Sequence, residues 1–144
     1  MNDLPVLRIH PADIGDGDAL LRLARVFATS FAVDESAFQS SFAGLLADAS
    51  ACLLVADTHG VVIGYVLGFR HLTFYANGRV AWVEEIMVAE PHRQRGIGRQ
   101  LMEAFTEWAR SSQCRLVGLA TRRAAPFYRA LGYEESATYF RKLL

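Results

Sequence analysis

The stretch VEEIMVAEPHRQRGIGRQLM, Val83 to Met102, decides how this chain is read. It opens as an apolar run that carries two adjacent glutamates, Glu84 and Glu85. Pro91 ends the run, because proline cannot continue a strand ladder. Arg93, Arg95 and Arg99 then surround Gly96 and Gly98, and Ile97, Leu101, Phe105 and Trp108 recur on one helical face. The spacing predicts a strand, a short loop and a helix of about four turns starting near Gly96. Glycines at a helix start let the backbone come close to a ligand. The first-turn N–H groups have no intrahelical partner, and the helix dipole adds positive potential there. RQRGIG therefore makes an anion cradle suited to phosphate or pyrophosphate. It is neither G-x-G-x-x-G nor a P-loop, since no GK[ST] ending follows. By themselves, these six residues fit a glycine turn with incidental arginines equally well.

Working outward, the period of the apolar residues divides the rest of the chain. Leu4 to His10 alternates and reads as a first strand. Pro11 and Asp13 mark a turn with a helix cap. Leu20, Leu23, Ala24, Phe27 and Phe31 lie at helical spacing, and Phe38, Phe42, Leu45 and Ala49 do the same in a second helix starting near Ser36. Cys52 to Ala56 and Val61 to Leu72 read as strands joined at Asp57–Gly60. Asn77-Gly78 is a strong hairpin-turn dipeptide and leads into a strand from Arg79 to Val88. After the Gly96 helix, Arg115 to Ala120 is a short strand. Arg123 to Leu131 is a short helix closed by Gly132, and Tyr133 to Leu144 reads as a terminal strand. The order β-α-α-β-β-β-α-β-α-β predicts one α+β (mixed α/β) domain over residues 1–144, with a central, mostly antiparallel sheet.

Bulk composition narrows the function. A chain of 144 residues buries roughly 68–70% of its unfolded surface and needs no covalent staple. Its 15 basic and 15 acidic side chains cancel, so no nucleic-acid or membrane-surface partner is indicated. The arginines are concentrated in the second half, and arginine offers a planar fork for phosphates. Cys52 and Cys114 lie in or beside apolar runs without CxxC or zinc spacing, which predicts buried free thiols in a reducing cytoplasm. The opening MNDLPVLRIH has no signal-peptide pattern, and no apolar run approaches a membrane-spanning length. His10, His59, His71 and His92 have no metal-ligand spacing, and no metal is expected.

Two sequence blocks carry a resemblance. Glu84-Glu85-Ile86-Met87-Val88, followed by Arg93, Gly96, Gly98 and Leu101, resembles the acetyl-CoA-binding motif of the GCN5-related N-acetyltransferase (GNAT) superfamily. Ala125-Pro126-Phe127-Tyr128-Arg129-Ala130-Leu131-Gly132-Tyr133 is similar to its C-terminal "FYxxLGF" motif, with Tyr133 in the last aromatic slot. The order and separation of the blocks also match, and the element order follows the superfamily's over essentially the whole chain.

The resemblance implies a partly splayed sheet with helices on both faces, and acetyl-CoA as co-substrate. The pantetheine arm would pair with the backbone of Ile86, Met87 and Val88, and the pyrophosphate would lie on the N–H groups of Arg93, Gln94, Arg95, Gly96, Ile97 and Gly98, with Arg99 just beyond. The thioester would enter where the fourth and fifth strands part. An asparagine common in the superfamily is absent near position 121; Thr121 would replace its hydrogen bond, and Arg122 or Arg123 would reach a phosphate. Tyr128 matches the tyrosine that stands near the coenzyme sulfur.

A free alkylammonium is mostly charged at pH 7, so acetyl transfer needs a proton acceptor, and a carboxylate supplies one. In a regular strand Glu84 and Glu85 face opposite ways, unless a bulge re-aims one of them. Glu84 is the first choice of base and Glu85 the second. Phe69, Phe74, Tyr75 and Trp82, with Phe27, Phe31 and Phe38, are candidates for an acceptor pocket, with core as the expected place for most. The chain thus reads as a cytoplasmic N-acetyltransferase in which a small-molecule or peptide amine attacks the thioester directly in a ternary complex, in a homodimer to which the apolar C-terminal strand contributes. The alternatives are a non-catalytic acyl-CoA-binding sensor or interaction module, and a nucleotide-binding regulator.

Overall fold

The computed structural model describes residues 6–144, so Leu4 and Pro5 of the expected first strand lie outside the described residues. The elements run β1 (Leu7–Pro11), α1 (Gly17–Phe27), α2 (Glu35–Ala47), β2 (Ala51–Thr58), β3 (Val61–Thr73), β4 (Gly78–Val88), α3 (Ile97–Ser111), β5 (Val117–Leu119) and α4 (Ala125–Ala130). One sheet has the order β1-β2-β3-β4-β5. Its first four strands are antiparallel, and β5 joins β4 in parallel. This is the mixed α/β class that the sequence predicts. No helix of the described residues is long and apolar enough to cross a membrane.

Local chemistry explains the boundaries. The Asp34 carboxylate accepts from the Ala37 N–H and starts α2. His59 and Gly60 both adopt positive φ, the backbone that a tight hairpin between β2 and β3 requires. Gly132, also at positive φ, closes α4: its N–H donates to the Arg129 carbonyl, and the Tyr133 N–H donates to that of Tyr128.

Each sheet face has its own core. Against one face lie Ile97, Leu101, Met102 and Phe105 of α3 and Tyr128 of α4, packed on Cys52, Val66, Ala81 and Val83. Against the other lie Leu20 and Leu23 of α1 and Phe42 of α2, packed on Val55, Tyr65, Leu67 and Met87. Cys52 is a free, buried thiol, and burial pushes its pKa up to about 12. Cys114 is also free and only partly covered.

Two expectations need correction. The terminal strand does not form: residues 134–144 make no ladder, and their side chains are exposed. Strand conformation needs a partner for its backbone groups, and β5, only three residues long, offers too short an edge. Nor are most of the candidate aromatics core. Phe38 and Phe69 pack on the α1–α2 side, but Phe31, Phe74 and Tyr75 are 67%, 102% and 74% exposed. Phe74 and Tyr75 ride on the β3–β4 turn, and Tyr75 lines one cavity together with Trp82, Phe27, Phe31 and Phe38.

Candidate active site

The site begins where β4 loses a neighbour. β5 pairs with β4 only through Ala81, Trp82 and Val83. From Ile86 to Val88, β4 keeps its β3 partners (Val66, Tyr65 and Gly64) but has none on the other side. The two strands therefore part immediately after Val83, and from there on the outer edge of β4 has no strand partner.

A bulge marks the same point. Leu67 faces Glu85 and Gly68 faces Val83, so Glu84 is an extra residue on β4 with no partner on β3. Gly68 makes this possible. A Cβ there would lie 2.4 Å from the Phe105 ring and 2.5 Å from the Trp82 carbonyl. With that space free, the α3 aromatic reaches the floor of the sheet.

The bulge alters which way the glutamates face. Val83 points into the α3 core. Trp82 lies opposite Phe69, and Glu85 opposite Leu67, both on the α1–α2 side. The Glu84 carboxylate accepts from the Trp82 indole N–H at 3.1 Å, so it lies on that side as well. Glu85 accepts from the hydroxyl of buried Tyr65 at 2.8 Å. Both carboxylates thus share one face. Burial pushes the Glu85 carboxyl above its ordinary range, the Tyr65 hydrogen bond draws it back down, and the neighbouring Glu84 charge raises it further. Sequence reading gave Tyr65 no role. The alternation of β3 puts it on the α1–α2 side, but only the β3–β4 register brings it to Glu85.

Beyond Val88 the chain turns into α3. Gln94 and Gly96 adopt positive φ, and Gly96 is the residue that caps the helix. No side chain caps the first turn and no acidic residue lies in it, so its N–H groups and dipole are left for an external anion. Gly98 fits closely under Phe127, 3.3 Å from where a Cβ would stand. Arg93 turns back instead of outward: its Nε donates to the Val88 carbonyl at 2.9 Å and fixes the loop to the end of β4. Arg99 stays exposed, with Glu103 only at the 4.0 Å limit of an ion pair.

Across the gap, Tyr128 is 8% exposed and held edge-on between Phe127 and Tyr133. Burial pushes its phenol up, so it keeps its proton at neutral pH. The Thr121 hydroxyl oxygen accepts from the Ala124 N–H at 3.1 Å and closes the turn that leads into α4. One broad, open cleft is lined by Glu84, Glu85, Ile86, Val88, Arg93, Gln94, the Gly96–Arg99 turn, Thr121 and Tyr128, among others. Met87 does not line it and instead fills the α1–α2 core, and Arg95 also lies outside its lining.

The profile of the Acetyltransferase (GNAT) family matches residues 18–133. The chain belongs to that family. This N-acetyltransferase is 28% identical over 145 residues to the aminoalkylphosphonate N-acetyltransferase of Salmonella typhimurium, covering 98% of this chain and 94% of the relative. It is 32% identical over 99 residues to the aminoglycoside N(6')-acetyltransferase type 1 of the same organism, covering 61% of this chain and 67% of the relative. Its fold matches that of aminoglycoside N-acetyltransferase AAC(6')-Iy, solved in complex with CoA, with TM-score 0.86 at 22% identity, over 99% of this chain and 98% of that one. Family membership supports acetyl-CoA as the donor and an enzyme rather than a binding-only module. The partnerless edge of β4 and the uncapped glycine turn fit an extended ligand with amides at one end and a pyrophosphate at the other.

Proposed function

We propose that this N-acetyltransferase transfers the acetyl group of acetyl-CoA directly to a small-molecule primary amine while both are bound. The observation that carries this reading is the continuity of one surface. The outer edge of β4, the start of α3 without a side-chain cap, both glutamates and Tyr128 all border one open cleft.

In this reading the main chain of Ile86, Met87 and Val88 pairs with the pantetheine amides, so side-chain identity matters little there. The first-turn N–H groups behind Gly96, with Arg99 close by and Arg122 or Arg123 from the far side, hold the phosphates. Arg93 and Gln94 shape the turn, and the Thr121 hydroxyl, whose hydrogen is free to donate, adds one hydrogen bond. The Glu84–Glu85 pair attracts the ammonium form of the acceptor and takes its proton. The amine nitrogen then bonds to the acetyl carbon as the carbon–sulfur bond breaks, and its second proton passes to the departing sulfur, so that CoA leaves as the thiol. Tyr128 donates a hydrogen bond to the departing sulfur. Its raised pKa favours this over complete proton transfer, since a phenol is a weaker acid than a thiol. Backbone N–H groups at the bulge polarise the acetyl carbonyl.

The names of the two Salmonella relatives support a small-molecule acceptor. The test is release of free thiol from acetyl-CoA with aminomethylphosphonate, kanamycin, a polyamine and a peptide with a free N-terminus. Turnover of one of the first three is expected. Absence of thiol release with all four, together with no heat of CoA binding, would overturn the reading. Tyr128→Phe is expected to lower kcat about tenfold, the size of one hydrogen bond.

A further inference from the structure

Two carboxylates on one face suggest either one task shared or two tasks divided, and their surroundings differ enough to decide. Glu84 is exposed, on the outer side of the bulge. Its Oε2 accepts from the Trp82 indole, a neighbour on its own strand. Glu85 is half-buried in the sheet, and its Oε1 accepts from a hydroxyl of the neighbouring strand. That hydroxyl belongs to Tyr65, which is 3% exposed and wedged in the α1–α2 core. The partners of Glu85 are therefore rigid, whereas those of Glu84 sit at the rim.

We infer that Glu85 is the proton acceptor, that Tyr65 is its positioning residue, and that Glu84, braced by Trp82, is the anion that receives the incoming ammonium. This rests on the acetyl-transfer reading above and refines it. An exposed carboxylate is well solvated and attracts a cation without losing much by it. A half-buried carboxylate is less solvated, and this makes it the better proton acceptor. The Tyr65 bond fixes the Glu85 rotamer through one oxygen and leaves the other unpaired among the described residues. The α1 and α2 side chains packed on this face, Leu20, Leu23 and Phe42, are apolar. Tyr65 of β3 and Glu84 of β4 are the titratable groups that act on Glu85. In the reaction the ammonium first gives one proton to the free oxygen of Glu85; the neutral nitrogen then gains the acetyl carbon as the carbon–sulfur bond breaks, and its second proton passes to the departing sulfur, so that CoA leaves as the thiol.

The roles predict separate kinetic signatures. The measurement is kcat and KM against pH, by thiol release from acetyl-CoA with whichever panel amine the wild type acetylates. Glu85→Gln, which can still accept from Tyr65, is expected to lower kcat at least about 100-fold and to abolish the acidic limb of the kcat/KM profile. Glu84→Gln is expected to raise KM for the amine about tenfold and to keep the acidic limb. Trp82→Phe should follow Glu84→Gln in milder form. Tyr65→Phe keeps the buried ring and removes only the donor. Since that hydrogen bond favours the ionised carboxylate, its loss is expected to move the acidic limb to higher pH and to lower kcat about tenfold. A structural role alone for Tyr65 would lower the thermal midpoint and leave the limb in place, and that result overturns the inference. So does an acidic limb that survives in Glu85→Gln and disappears in Glu84→Gln, which leaves the acetyl-transfer reading standing. No turnover of any panel amine by a wild type that binds CoA would overturn both.

Discussion

The two halves of β4 carry the same kind of sequence and have opposite fates. From Gly78 to Val83 the strand is enclosed. β3 pairs with one edge and β5 with the other. The Arg115 N–H and the Leu116 carbonyl extend the second ladder through Arg79 and Ala81. From Glu84 to Val88 only β3 remains. The first half builds the fold, and the second presents backbone. Two small devices at the junction separate them: the short β5, which ends its pairing at Leu119, and the bulge that Gly68 accommodates. A candidate site can thus be built on ordinary strand by withholding one neighbour and inserting one residue.

The sharpest way to break the contrast is at Gly68. Gly68→Ala places a methyl group on the Phe105 ring and on a backbone carbonyl, neither of which can yield cheaply. Overpacking of this kind is expected to cost about 3 kcal/mol or more, read as a lower urea midpoint, with the β3–β4 bulge distorted and turnover lost. A smaller effect is expected at Gly96, whose φ of 78° suits glycine best. Alanine there should destabilise the turn by roughly 1–2 kcal/mol, and calorimetry should show CoA binding weakened with the sheet intact. Unaltered CoA affinity would mean that the turn does not hold the phosphates.

Arg93 joins the free half of β4 to that turn. Arg93→Met removes the bond to the Val88 carbonyl and should cost about 1 kcal/mol in thermal stability. If stability is unchanged but CoA affinity falls sharply, the side chain is a ligand contact and not a brace.

The smallest expected effect lies at the opposite edge of the sheet, where it serves as a control. His10 of β1 offers one ring nitrogen to the Pro11 carbonyl and the other to buried Asp57 of β2. Both contacts need a donor, so the imidazolium is favoured. The Pro11 carbonyl, then Asp57, holds the His10 pKa above its usual 6.5. His10, in turn, holds the Asp57 carboxyl below its usual 3.8. The His10 contribution is complete below pH 6.5 and is lost as pH rises through the elevated value. That of Asp57 is present above pH 3.8 and is lost as pH falls through the depressed one. His10→Gln should therefore flatten the fall in stability above pH 6.5 and leave acetyl transfer unaffected. A changed kcat in this variant would show that the edge communicates with the site.

Much of this was legible from residues alone. The 3.6-residue repeat of Ile97, Leu101, Phe105 and Trp108 gave α3 nearly to its ends. Asn77-Gly78, His59-Gly60 and Gly132 marked turns because few other residues accept those backbone angles, although β2 runs on through Asp57 and Thr58, which the sequence places in the turn. The site motifs were local, so their backbone course could be read as well. What escaped depends on distance along the chain. Tyr65 lies 20 residues from Glu85 in sequence and meets it only through register. The terminal strand was expected from apolar content, but content does not supply an edge to pair with. Composition leaves Phe74 and Tyr75 open between acceptor pocket and core; both are exposed on the β3–β4 turn, and Tyr75 lines the cavity.

The sequence by itself determined the family, the order of the elements and the glycine turn at the head of α3, because each of these is written in contiguous residues and short-range sterics. Only the tertiary structure decided which way the two glutamates face. That direction depends on whether an extra residue bulges from β4, and the bulge exists because a glycine on β3 leaves room for an aromatic ring from α3. No window of sequence contains those three partners, and a side chain in a strand changes face with a slip of a single residue.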